Sequence, residues 1–292
     1  MGEETIEALY EQVRSRVPVR ADETIPTLTP VAPGIRVLAL RTPTLPPAQH
    51  TNVYLVGPDH GPVAVVDPGS PYTDQQAVLD QVLESLPIEK VLLTHHHGDH
   101  VGGAVALAER WRVPIAAHAA TARRLAGRIE VTELVEDGEV VHGATAVFTP
   151  GHAEGHLCFE VGDAMIAGDM VAGLGTILID PSEGDMATYL ASLARMAARG
   201  QRTLLPAHGP AIPDGQGKLA EYLAHRRMRE QRVIGALAAA GAAGATAGEL
   251  VATAYDDTPR LLWPLAERSL VAHLIKLQQE GRARESAGRW SA

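Results

Sequence analysis

Apolar and polar positions change period several times along the chain. Near the start, Ile6, Leu9, Tyr10 and Val13 recur at helical spacing, which predicts a short helix over residues 1–20. From Ile35 the pattern shifts to short β-rich runs at 35–40, 51–56 and 63–67. The last two flank Gly57-Pro58-Asp59-His60-Gly61, a hairpin signal. Helical and strand patterns then alternate, with helices at 73–85, 104–111 and 121–126 and strands at 90–94 and 114–117. Strand patterns dominate 139–142, 144–149, 157–161 and 164–167, before a helix at 185–199 and a strand at 203–206. Strands grouped with intervening helices predict two sheets with helices packed outside, an α+β fold.

Beyond Gly217 the strands give way to a long helix at 218–240, an Ala/Gly linker candidate at 239–244, helices at 247–255 and 260–280, and a terminal hairpin within 281–292. Three helices and a wing outline a winged-helix-like domain. The expected division is an N-terminal helical extension (1–30), a catalytic domain (31–216) and this C-terminal domain (217–292). Leu261, Leu262, Leu265, Leu270, Leu274 and Leu277 supply an apolar face, either the core of that domain or a surface for a homodimer.

Composition narrows the class. The 292 residues are 46% apolar, as in ordinary globular proteins, and the formal net charge of −10 excludes bulk attraction to nucleic acid. The charge is unevenly spread: from Gly217 onward 11 Lys and Arg stand against 8 Asp and Glu, a net of +3, which leaves −13 for the rest. The single cysteine, Cys158, forbids an intramolecular disulfide. The acidic start Met1-Gly2-Glu3-Glu4-Thr5 lacks the basic and apolar pattern of a signal peptide, and no apolar run is long enough to span a bilayer. The expectation is a cytoplasmic protein.

The chemistry concentrates in Thr94-His95-His96-His97-Gly98-Asp99-His100. Where a strand ends, alternation points His95 and His97 one way and His96 the other. Two imidazoles on one face can grip one ion; a turn at Gly98 brings Asp99 and His100 round to a second. Mixed nitrogen and carboxylate donors suit Zn2+, with Mn2+ or Fe2+ as alternatives. Three later groups also follow strand patterns: His152 in Thr149-Pro150-Gly151-His152, Asp169 in Ala167-Gly168-Asp169, and His208 in Ala207-His208-Gly209. His156 reads as a strand-start histidine with a local hydrogen bond, and Cys158 as a packed thiol.

This set resembles the metallo-β-lactamase superfamily, whose signature is H-x-H-x-D-H followed by a distant His, Asp and His. The resemblance, over about residues 30–215, implies an αββα sandwich and a dinuclear site. It assigns His95, His97 and His152 to a first metal, Asp99, His100 and His208 to a second, and Asp169 to a bridge between them. Val66-Asp67-Pro68-Gly69 matches an early strand–turn in which Asp67 steadies the site; a plain turn aspartate is the alternative. In such a site a metal-bridging hydroxide attacks a carbonyl carbon or a phosphorus, and Asp99, beyond ligating, accepts the proton.

The retained Asp169, the absence of a cysteine ligand and the lack of an export signal argue against an antibiotic-destroying lactamase. The order Gly168–Thr176, Asp185–Leu193, Pro206–Pro210 and His225–Gln231 is similar to the lactamase-β-like group with a C-terminal winged helix. That group includes a mitochondrial single-strand endoribonuclease and fungal thioesterases acting on polyketide carriers. The chain departs from it in its N-terminal extension and in Pro181-Ser182-Glu183-Gly184. The expected function is hydrolysis of an ester or thioester on a small-molecule or carrier-bound acyl substrate. Cleavage of single-stranded RNA is the alternative, with Arg226, Arg227, Arg229 and Arg232 meeting phosphates; a non-catalytic binding protein is the third reading.

Overall fold

The computed structural model describes residues 6–16 and 26–292. Its first half contains α1 (Ile6–Arg16), β1 (Thr29–Ala32), β2 (Ile35–Arg41), β3 (His50–Val56), β4 (Val63–Val66), α2 (Thr73–Leu83), β5 (Ile88–Leu92), α3 (Gly98–Val101), α4 (Ala104–Trp111), β6 (Ile115–Ala117), α5 (Ala119–Leu125) and β7 (Glu133–Leu134). Then come β8 (Val140–Val141), β9 (Ala144–Phe148), β10 (Leu157–Val161), β11 (Ala164–Gly168), α6 (Met186–Ala197) and β12 (Thr203–Pro206). The chain closes with α7 (Gly215–Ala240), α8 (Ala247–Ala254), α9 (Trp263–Gln279), β13 (Arg284–Ser286) and β14 (Arg289–Ser291). The predicted first helix is seen over Ile6–Arg16; the rest of its expected span, 1–5 and 17–20, lies outside the described residues.

Two sheets form, one in the order β1 to β7 and the other β12-β11-β10-β9-β8. Side-chain alternation sorts their residues into layers. Tyr54, Val56, Ala64, Val66 and Leu92 of the first sheet meet Ala146, Leu157, Phe159, Ile166 and Leu205 of the second in the central core. Val53, Leu55, Val63, Val65 and Leu93 face outward beneath Leu79, Leu83, Leu107 and Leu125 of the helices. On the other side Val147, Cys158, Met165 and Leu204 lie beneath Met186, Tyr189, Leu193, Leu219 and Tyr222. This is the αββα sandwich. β4 reads Val-Ala-Val-Val without a polar residue because both of its faces are covered. Asp185 caps α6 by accepting from Thr188 N at 2.7 Å, a bond worth about 1 kcal/mol.

The C-terminal region is a helical unit with a hairpin wing, its core built from Leu250, Val251, Leu270, Leu274, Leu277 and Trp290. The expected linker at 239–244 is instead a tight 3-10 turn over Gly241–Ala243. α7 spans both regions: Leu219 and Tyr222 pack on the sandwich, while Val233, Ala236 and Leu237 belong to the C-terminal core. The helix expected at 260–280 is a 3-10 turn followed by α9, with Pro264 in its first turn. The leucine face is divided: Leu270, Leu274 and Leu277 sit in their own core, and Leu262 and Leu265 line the pocket described below. No helix of the described residues is long and apolar enough to cross a membrane.

Candidate metal centre

Each chemically active segment follows a strand: His95 to His100 after β5, His152 after β9, Asp169 after β11 and His208 after β12. Two backbone bonds bind the sheets together at this edge, Leu157 N to Thr94 O (2.9 Å) and Asn52 N to Ala207 O (2.8 Å). The Asn52 side chain adds bonds to Pro206 O (2.8 Å) and Gly209 O (2.9 Å). The loops of both sheets are thereby fixed against one another before any ligand arrives.

The structure brings all seven expected residues together. His97 Nδ1 lies 2.9 Å from His95 Nε2 and 3.0 Å from His152 Nε2. Asp169 stands between two groups: its Oδ2 is 3.5 Å from His152 Nε2, and its Oδ1 is 3.6 Å from His100 Nε2 and 3.4 Å from His208 Nε2. Asp99 approaches His208 Nε2 at 3.5 Å and His100 Nε2 at 4.0 Å. Donor atoms of His95, His97, His152 and Asp169 all lie within 4.8 Å of one another, as do those of Asp99, His100 and His208.

The donor set fits divalent metal ions. Two ligands of one tetrahedral ion, each at roughly 2.1 Å, stand roughly 3.4 Å apart, close to the separations observed. His100 Nε2 and Asp169 Oδ1 are buried with no hydrogen-bond partner, and both face the cluster. The opposite nitrogen of each imidazole is engaged: His152 Nδ1 donates to Leu178 O (2.9 Å), His208 Nδ1 to His50 O (3.0 Å) and His100 Nδ1 to Asp67 Oδ2 (2.8 Å). Thr94 Oγ1 donates to Asp67 Oδ2 (2.6 Å) and accepts from His95 Nδ1 (2.9 Å). Such anchors set the tautomer and aim the free lone pair. Asp67 is therefore no plain turn residue: it holds Thr94 N as well, at 2.8 Å.

Electrostatic shifts within the cluster run in both directions. Burial pushes His95 and His156 well below the usual imidazole value and holds His152 at about 4, with His97 adding to the shift at His152. Burial also opposes charge on His97, His100 and His208, but facing carboxylates outweigh it and raise all three: Glu183 at His97, Asp67 at His100 and Asp169 at His208. For Asp99 and Asp169 the desolvation cost is overcome by His100 and His208, so both stay ionised. A divalent ion bound by these imidazoles would compete with their protons and release any that they hold.

Three details differ from the sequence expectations. The strand stops at Leu92, so His95 to His97 lie in loop backbone beyond it, and His96 does not turn away from His97: both reach Glu183. Gly98 does not make the turn by left-handed backbone; Asp99 and His100 are carried on α3, and a Cβ at Gly98 would meet nothing within 4 Å. The glycine requirement falls on Gly69, where a Cβ would stand 1.7 Å from Asp99 O. His96, expected to be outside the ligand set, is buried and bonds Glu183 Oε2 at 3.0 Å. Glu183 also bonds His97 Nε2 through Oε1 at 2.7 Å and had no sequence expectation beyond its place in a divergent tetrapeptide. Burial works against its charge, but His97 and His96 hold it far below the ordinary carboxylate range.

Glu183 is held from the C-terminal region. Asp180 accepts from Ser182 N (2.8 Å) and Oγ (2.6 Å), and its carbonyl accepts from Gly184 N (2.7 Å), closing a turn. Arg268 of α9 grips the same carboxylate with two bonds, at 2.6 and 2.8 Å. His156, as expected, has a local bond to Thr149 Oγ1 (2.9 Å), and its Nε2 accepts from Asp169 N (3.1 Å), fixing the backbone of the central carboxylate. Cys158 is a packed thiol, 3.3 Å from Thr149 Oγ1.

The cluster floors a pocket of about 380 Å³, lined by His97, Asp99, His152, Asp169 and His208 at one end. Its walls are Pro46, Pro47, Leu174 and Ile177 of the sandwich loops, Tyr10 of α1, and Leu262, Leu265 and Ala266 of the C-terminal unit. Arg14 Nη1 donates to Pro43 O (2.7 Å) and ties α1 to the proline-rich wall.

Comparison with known proteins agrees with this architecture. The profile of the metallo-beta-lactamase superfamily matches residues 46–208, and that of the beta-lactamase associated winged helix domain matches 246–290. The lactamase-like protein vrtG of Penicillium aethiopicum is 36% identical over 277 residues, covering 83% of this chain and 84% of that one. The atrochrysone carboxyl ACP thioesterase AacuM of Aspergillus aculeatus is 34% identical over 197 residues, 65% of this chain and 60% of its own. The crystal structure of a beta-lactamase domain protein from Burkholderia ambifaria superposes with a TM-score of 0.78 at 22% identity, covering 96% of this chain and all of that one. The chain is a metal-dependent hydrolase and belongs to the metallo-β-lactamase superfamily, with the winged-helix domain that accompanies one branch of it.

Proposed function

We propose that the protein hydrolyses the ester or thioester bond of an acyl substrate, with two divalent metal ions, Zn2+ in the first instance, held by His95, His97, His152, Asp99, His100 and His208 and shared through Asp169. The observation that carries this reading is the placement of Asp169, one oxygen toward each histidine group, at the floor of an apolar pocket. Bound there, the metal pair supplies Lewis acidity, polarising an acyl carbonyl and lowering the pKa of a water molecule toward neutrality.

The chain's own residues do the rest. Asp99, ionised and lining the pocket, accepts a proton from the attacking water as the new C–O bond forms. The C–S or C–O bond to the leaving group then breaks, and the proton passes to the departing thiolate or alkoxide. Glu183, through His97, and Asp67, through His100, fix the rings so that the site does not reorganise during the reaction. The apolar walls take up the acyl chain and exclude bulk water. AacuM is named for thioester hydrolysis on an acyl carrier, which favours a carrier-bound thioester over a simple ester.

RNA cleavage has less support. Of the four arginines singled out, Arg226 is buried, Arg229 pairs with Asp257 (2.7 Å), and Arg232 pairs with Asp256 (3.0 Å). Among the described residues, Arg227 is exposed and has no such partner. The test is a parallel assay of an acyl thioester, a carboxyl ester, a β-lactam and single-stranded RNA, with elemental analysis. Thioester or ester turnover with about two metal ions per chain is expected. RNA cleavage alone, or no metal uptake from added zinc, manganese or iron, would overturn the reading.

A further inference from the structure

Arg226 lines the pocket from α7 and is only 3% exposed, yet among the described residues it has no carboxylate at ion-pairing distance. Its Nη2 donates to the carbonyl of Ile177, its guanidinium carbon stands 5.3 Å from the centre of the Tyr189 ring, and its Nε has no partner. One turn further, Arg229 also lines the pocket and is 8% exposed; its Nη1 reaches Ala254 O and Asp257, while its Nε is unpartnered. Its guanidinium lies 4.6 Å over the ring of Tyr255, whose buried hydroxyl has no hydrogen-bond partner either. Of the two buried guanidinium groups only Arg229 meets a carboxylate, that of Asp257, which is 44% exposed and is also paired with Arg232.

Guanidinium does not lose its proton in proteins, so this charge cannot be removed by titration as a lysine's could. A buried cation is retained where something compensates it. Around Arg226 the compensation visible among the described residues is the Ile177 carbonyl and Tyr189, through its ring face and its hydroxyl, with no carboxylate. The pocket that Arg226 borders is also lined by Asp99 and Asp169 of the cluster.

We propose that Arg226, with Arg229 and the Tyr255 hydroxyl beside it, forms an oxyanion subsite, so that the substrate carries a carboxylate or phosphate group remote from the bond that is cleaved. The inference rests on the ester and thioester reading and narrows it to anionic acyl substrates. The anion has two chemical sources: a terminal carboxylate on the acyl chain, or a phosphate on the thiol arm of a carrier.

The test pairs charged and neutral probes. Calorimetric titration of the metal-loaded protein compares adipic acid monoamide with hexanamide, and 4′-phosphopantetheine with pantetheine; hydrolysis compares thioesters built from the same parts. One charged member is expected to bind at least about tenfold tighter than its neutral partner. Arg226→Gln should reduce that preference to less than about twofold while neutral-probe affinity stays within about twofold, and Arg226→Lys should keep part of it. The pair that responds identifies the source. No charge preference in the wild type, a preference that survives Arg226→Gln, or equal loss for charged and neutral probes would overturn the subsite; the last would make Arg226 a strut between α7 and the loop at Ile177. Charge-selective binding without thioester turnover would instead defeat the hydrolytic reading and leave the subsite standing, whereas turnover without charge selection would do the reverse.

Discussion

Buried imidazole meets buried carboxylate in two regions of the described residues, with opposite outcomes. In the C-terminal unit Glu230 lies 3.6 Å from His273 Nδ1 and is closed off by Lys276 at 2.7 Å, with Arg282 at 3.8 Å. Charges there are matched locally, within helices that pack on each other. At the metal centre the same groups converge on one another, with ring nitrogens 2.9–3.0 Å apart; His100 Nε2 and Asp169 Oδ1 lack hydrogen-bond partners there, as both ring nitrogens of His273 do in the C-terminal unit. The first arrangement serves folding. The second spends folding energy, because like donors are held together and desolvated, and the energy is recovered only when a cation enters. A polar cluster whose free lone pairs face inward toward a pocket is a site; one whose charges cancel is a clasp.

The largest test of this contrast is Asp169→Ala. Turnover should fall by at least about a thousandfold and metal content from about two ions toward one or none, with the circular dichroism spectrum unchanged. Retained activity would remove Asp169 from the centre. Glu183→Gln comes next: it keeps the shape but weakens the hold on His97, and metal affinity read by competition with a chelator should drop about 10–100-fold. Matched affinities in the two proteins would reduce Glu183 to a loop anchor.

Glu230→Gln is the counterpart in the clasp. It should leave turnover and metal content unchanged and cost about 1–2 kcal/mol of stability after allowance for solvent screening. The pH dependence follows from the sign of the shift. The His273 contact and Lys276 outweigh partial burial and bring the Glu230 carboxyl down to about 2, below its ordinary value of 4.5. Its contribution is therefore complete above about pH 4.5 and is lost as pH falls toward 2. Denaturation midpoints measured from pH 7 to 2 should converge for wild type and Glu230→Gln; a constant gap would mean the pairing is not electrostatic. The smallest effect concerns Cys158, whose thiol burial pushes up to about 12. Labelling by a maleimide should be negligible in the native protein and rapid in denaturant. Fast native labelling would show that the layer beneath α6 opens readily.

Much of this was legible in the chain because it depends on period and spacing. The β-rich runs at 51–56 and 63–67 announced a hairpin, and the dense His/Asp run announced a cation cradle. The short edge strands β1 and β7 carry no pattern: Thr29–Ala32 and Glu133–Leu134 are exposed or half-exposed, and their pairing is set by neighbours. Glu183 was illegible for a different reason. It lies 86 residues from His97 and follows no strand, so its approach depends on how the Asp180 turn is seated. The only local signal was turn chemistry, Asp-Pro-Ser-Glu-Gly, which predicts a bend and not what the bend delivers. The turn read at Gly98 is the start of α3, and the position that tolerates no side chain is Gly69, in a loop some thirty residues earlier. Arg226 and Arg229 of α7 read as part of a surface charge run, since helical spacing does not reveal that they are buried while Arg227 is exposed and Arg232 half-buried.

The Asp180–Arg268 clamp makes the C-terminal unit an unsuitable object for exchange. A winged-helix domain grafted from a relative without an arginine at this place on α9 would leave a buried carboxylate unpaired in the turn that carries Glu183. Among relatives sharing this turn, Asp180 and Arg268 are thus expected to be inherited as a linked pair, although 88 positions separate them and they fall in two regions matched by different family profiles. A shuffled chain that honours the family boundary but breaks the pair would be expected to fold as two sound halves around a loosened centre.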